Sequence, residues 1–167
     1  MRKRILLLFT TLLIATSCNG QEKISTPADF AFVFEHASCG TIFMDILDTT
    51  QNVLIQKTPE GEIANTIPLN LLDEQMDEIY QKLIEIDFFS YPEIYIVPDE
   101  QIRGYQAPSG IQKLTVTANS QIHSVVWTDE IFTEPPYMDE INLRDLADLI
   151  LEVIWSNPDY QSLIGCA

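Results

Sequence analysis

From Phe30 onward, short apolar runs are separated by polar and turn residues. FAFVFEH (Phe30–His36) carries an aromatic at every second position and reads as a strand. TIFMDILD (Thr41–Asp48) reads as the second. NVLIQKT (Asn52–Thr58) is a third, across Thr49-Thr50-Gln51. Pro59-Glu60-Gly61 marks a turn. NTIPL (Asn65–Leu69) reads as a short edge strand, because Pro68 has no N–H to give to a ladder.

The period then lengthens. Leu72, Met76, Ile79, Leu83 and Ile86 recur at four-three spacing, which gathers them on one helical face. Asn70 is the expected N-cap, Asp73 and Glu74 suit the positive end of the helix dipole, and Pro92 prevents continuation. Asp99–Gly110 has no periodicity and reads as a loop. IQKLTVTA (Ile111–Ala118) and QIHSVVWT (Gln121–Thr128) flank Asn119-Ser120 as a hairpin. A second loop, Asp129–Glu140, leads into a helix with Leu143, Leu146, Leu149, Ile150 and Val153 as its stripe, closed by Pro158. The order β-β-β-α-β-β-α predicts an α+β domain, with an antiparallel sheet and two helices on one face. It can also be read as two β-β-α units in series.

The N-terminus follows another logic. Arg2, Lys3 and Arg4 precede Ile5–Ile14, an apolar run broken only by two threonines. A spanning helix needs about 20 apolar residues, and this run is about half that. A charged start, a short apolar middle and small residues at the end are the layout of a secretory signal peptide. Ala15-Thr16-Ser17 before Cys18 resembles a bacterial lipobox. That resemblance implies a signal peptide over 1–17, lipidation of Cys18, and attachment to a membrane through that lipid. Several acyl chains on one residue anchor stably where a single chain does not. Asn19 after the cysteine implies outer-membrane sorting where two membranes are present. Residues 18–28 then read as a lipidated cysteine with a polar tether, and 29–167 as a single domain.

The chain carries 25 acidic and 9 basic residues, net −16, and loss of residues 1–17 would remove three of the basic ones. So acidic a domain repels phosphate backbones, which argues against nucleic acid as a partner. Its apolar fraction of 46% is too high for disorder. Two cysteines besides Cys18 remain, Cys39 and Cys166. An exported compartment permits disulfides, so these two are a candidate pair, with two separate thiols as the alternative.

Ser38-Cys39-Gly40 before a strand, DEQMDEIYQKLIEIDFF with its aromatic exit, then a hairpin and a closing helix resemble bacterial lipoproteins that carry a domain of unknown function. The resemblance spans about residues 30–155 and implies an envelope location. It carries no activity across.

Candidate chemistry is sparse. His36 and Cys39 have H-x-x-C spacing, but His123 is the one further histidine, and zinc sites need three or four ligands. Carboxylates suit calcium, yet no EF-hand loop occurs. There is no G-x-S-x-G and no glycine-rich phosphate loop among only six glycines. No metal, cofactor or catalytic residue is therefore assigned. One inference is geometric. The loops entering and leaving the hairpin must emerge at the same end of it. Together they carry Arg103, Tyr105, Phe132 and Tyr137, and tyrosine and arginine are typical recognition anchors. The expectation is an envelope lipoprotein that displays these loops to a protein or a glycan. A carboxylate-dependent envelope hydrolase and an inert structural domain are the competing readings.

Overall fold

The computed structural model describes residues 24–38, 43–98, 102–105, 110–128, 131–133, 135 and 137–163. Four strands come first: β1 (Ala31–Ser38), β2 (Phe43–Asp48), β3 (Val53–Lys57) and β4 (Ile63–Pro68). Helix α1 (Asp73–Glu85) follows, then β5 (Ile102–Tyr105), β6 (Ile111–Ala118), β7 (Gln121–Thr128) and β8 (Ile131–Thr133). Helices α2 (Met138–Ser156) and α3 (Pro158–Ser162) complete the described part. Six strands make one sheet in the order β4-β3-β2-β1-β6-β7, and every pairing within it is antiparallel. The fold is α+β. Four sheet strands precede α1 and a hairpin precedes α2, so the two parts are unequal.

The alternation in sequence decides which face is covered. Phe34 lies opposite Leu47 and Leu114, which in turn lie opposite Leu54 and Val125. These five side chains form one apolar row across the sheet, all but sealed from solvent. Ile79 and Leu83 of α1, with Leu143, Leu146, Ile150 and Ile154 of α2, are buried in the same core. Lys82 near the end of α1 meets Asp145 in the first half of α2 at 3.7 Å, while Gln75 and Glu78 near the start of α1 lie by Glu152 and Ser156 near the end of α2, so the helices run antiparallel over the sheet.

Turn chemistry sets the register. Asn119 and Ser120 both have positive φ, 52° and 62°, as a two-residue type I′ hairpin turn requires. The carboxylate of Asp29 accepts both of their N–H groups, at 2.9 and 2.6 Å, and ties the start of the domain to this turn. Asp48 accepts bonds from Thr50 and Gln51 and shapes the β2–β3 turn, where Asn52 takes φ 55°.

Two sequence expectations change, each at a helix end. Asn70 is not the N-cap: α1 begins at Asp73, and the Leu72 N–H is received by the Gln75 side chain at 2.9 Å. Leu72 points outward, 63% exposed, while Leu71 is buried instead. Pro158 closes α2 but also opens α3, with Asn157 accepting from the N–H groups of Asp159 and Tyr160. Of the stretch 18–28, residues 24–28 are described, and Ile24 and Thr26 bond to Gln81 and Asp77 of α1. Among the described residues no helix is long and apolar enough to cross a membrane.

Candidate functional site

The two stretches read from sequence as loops pair with each other. β5 and β8 form an antiparallel two-stranded ribbon, with Ile102 opposite Thr133, Gly104 opposite Phe132 and Tyr105 opposite Ile131. The register shifts between Ile102 and Gly104. The ribbon therefore brings Arg103, Tyr105 and Phe132 together beyond the end of the sheet where β6 begins and β7 ends. Arg103 is exposed, and its guanidinium donates to the Ile102 carbonyl at 3.2 Å. Tyr137, the fourth candidate, occupies the N-cap position of α2.

Just past Tyr137 lies a pocket of about 290 Å³, lined by Ile86, Asp87, Ser90, Tyr91, Tyr95 and Asp139 among others. The chain reaches it through a reversal after α1, where Asp87 takes φ 54° before a single 3-10 turn at Phe88–Ser90. Beyond that turn, residues 93–95 run beside β7. Tyr95 donates its N–H to the Val126 carbonyl, and the Val126 N–H donates to Glu93, both at 2.9 Å. The Tyr91 and Tyr95 rings lie 5.7 Å apart, inclined at 56°. The Tyr91 hydroxyl donates to Asp139 at 3.3 Å.

The electrostatics of this pocket are one-sided. Burial pushes the Tyr91 phenol up to about 12, and the charges of Asp139 and Asp87 add to the rise. Burial and the charges of Asp139 and Glu140 raise Tyr95 as well, and its hydroxyl is buried without a hydrogen-bond partner. Two carboxylates beside two tyrosine rings favour a cationic group, by charge and by the negative faces of the rings.

A second polar feature runs through the core. Asn65, Gln56, Asp45, His36, Gln112 and Trp127 stand opposite one another, one per strand, across all six strands. They share the helix-covered face, one row away from the apolar row. Asn65 donates to Gln56 at 2.9 Å and Gln56 to Asp45 at 3.2 Å. The Tyr160 hydroxyl of α3 donates to the other oxygen of Asp45 at 2.6 Å. Gln112 lies 3.5 Å from the His36 Nδ1. Asp45 is 1% exposed, so this buried carboxylate depends on its donors. The signal for the row was present in sequence, because each polar residue falls in phase with the core positions of its strand.

Cys18, the proposed lipidation site, and the candidate pair Cys39 and Cys166 lie outside the described residues. His36 faces Gln112, and His123 lies between Phe88 and Phe89 instead, so the two histidines serve different parts of the core. Among the described residues no three His, Cys, Asp or Glu side chains gather as a metal site would require. No protein-family model matches the chain, and no curated protein matches it.

Proposed function

We propose that this protein is a lipid-anchored interaction module of the bacterial envelope. It is held to the membrane through Cys18 and binds a partner with the ribbon and the start of α2. The observation that carries the reading is the pairing of β5 with β8. It turns two chain segments far apart in sequence into one projecting surface beside the tyrosine–aspartate pocket. Arg103, Tyr105, Phe132 and Tyr137 stand on or beside these segments in the sequence, and tyrosine and arginine are typical of recognition hot spots. The acidic pocket favours a protein partner carrying a cationic group over a neutral glycan, and the net charge of −16 would steer such a partner in. The anchor rests on the lipobox-like Ala15-Thr16-Ser17-Cys18 alone.

The two halves are tested separately. Expressed in a bacterial host, the wild type should fractionate with membranes and Cys18→Ser should not. Equal membrane association of both would remove the anchor. For the surface, partners crosslinked to the wild type in native membranes should be lost with Asp139→Asn combined with Tyr137→Ala, at unchanged circular dichroism.

A further inference from the structure

The sheet face turned away from the helices carries an apolar groove of about 280 Å³. Its floor is one register row: Ala37 lies opposite Met44, and Met44 opposite Lys57. Phe43, Ile111 and the β3–β4 turn with Thr58 complete the walls. Met44 and Ile111 are 36% and 61% exposed, large apolar groups left open to water. Two polar groups break this apolar lining, and neither side chain has a partner among the described residues. Lys57 makes no ion pair among the described residues, whereas Lys82, Lys113 and Arg144 each do. The Thr58 hydroxyl is buried without a hydrogen-bond partner. A lysine with no ion pair among the described residues, beside an apolar groove, leaves a carboxylate's place open.

We infer that this groove binds a single-chain amphiphile with a carboxylate head, of the fatty-acid type. The tail lies along Ala37, Phe43, Met44 and Ile111, while the head takes the Lys57 ammonium. The volume suits it: at ~30 Å³ per water-sized group, the groove holds about eight to ten such groups, the size of a medium-length acyl chain. A peptide fits less well. It would bring a polar backbone to a largely apolar lining, and buried polar groups need partners. The acyl group proposed for Cys18 fits less well too, because Ile24 and Thr26 are bonded to α1, on the other side of the sheet. The inference is independent of the anchor and of the ribbon.

The test is an amide chemical-shift titration of the full chain carrying Cys18→Ser, so that the protein brings no acyl chain of its own. The probes are decanoate, decyltrimethylammonium and a short apolar peptide with a free C-terminal carboxylate. Decanoate should give saturable shifts at Ala37, Met44, Lys57 and Thr58. Lys57→Met should weaken it about fivefold, the size of one partly exposed ion pair, and the cationic probe should bind more weakly than decanoate. Lys57→Met keeps the apolar stem, so a folded spectrum is expected. The inference is overturned by absent or unsaturable shifts with decanoate, by equal decanoate affinity in Lys57→Met, or by tighter binding of the peptide. Shifts at these residues that depend on protein concentration alone would overturn it as well, and would assign the groove to a second copy of the chain.

Discussion

Asp45 shows at single-residue scale how this domain handles its buried charge. Its carboxylate is all but sealed in the core and accepts from Gln56 and from the Tyr160 hydroxyl. Burial raises the Tyr160 phenol, and the bond to Asp45 adds to the rise, so it stays a donor. Tyr160→Phe should therefore lower stability by about 1–2 kcal/mol in urea titrations, the size of a hydrogen bond to a charged group at a half-exposed site. Two other carboxylates set the acid response. The Asn119 and Ser120 N–H groups hold Asp29 below the ordinary carboxylate range. Burial pushes Asp48 up, but the bonds from Thr50 and Gln51 outweigh it and hold it below that range too. Groups depressed in the fold stabilise it above their unfolded pKa, about 4, and that contribution is lost as pH falls through their folded values. Urea midpoints should drop on acidification from about pH 5 to 2. Asp48→Asn should start lower at neutral pH and lose less on acidification.

Between elements, the decisive contacts are pairings, and sequence exposed some of them. The strands β1, β3, β6 and β7 and the spacing of α1 were legible because each element buries one face over much of its length. The ribbon was not. β5 has four residues and β8 three, Gly104 interrupts the first, and their pairing is non-local, so no window of sequence contains its signal. The start of α1 was misplaced because Asn70 has the chemistry of a cap. Burial of Leu71 keeps the chain extended for two further residues. Pro68 was read rightly as an edge residue. The Leu69 N–H bonds to the Asn52 carbonyl at 2.9 Å. Hydrogen-bonded pairs alternate along an antiparallel ladder, so the nitrogen of Pro68 faces the free edge. It denies a donor to any strand that would add there. Pro68→Val should restore that donor and promote concentration-dependent association in sedimentation velocity, with little change in the monomer's spectrum.

For the molecule as a whole, charge and burial pull in different directions. Tyr91, Tyr95 and Tyr160 all have raised phenols, Tyr91 to about 12. The stability they contribute is present below their unfolded pKa of about 10 and is lost as pH rises beyond it. Phenolate absorbance should thus appear for the exposed tyrosines first, and for these three together with unfolding. At ordinary pH the molecule offers two faces of different character. One end carries the ribbon and an acidic, tyrosine-walled pocket; the open sheet face carries an apolar groove beside Lys57. The central claim concerns the first of these. The most direct measurement is quantitative crosslinking and capture from native membranes, wild type against Arg103→Ala, Tyr137→Ala, Asp139→Asn of matched fold. A defined partner retained by the wild type and depleted at least about tenfold by the variant is the predicted result. Equal capture by both, or capture of nothing above background, would contradict it.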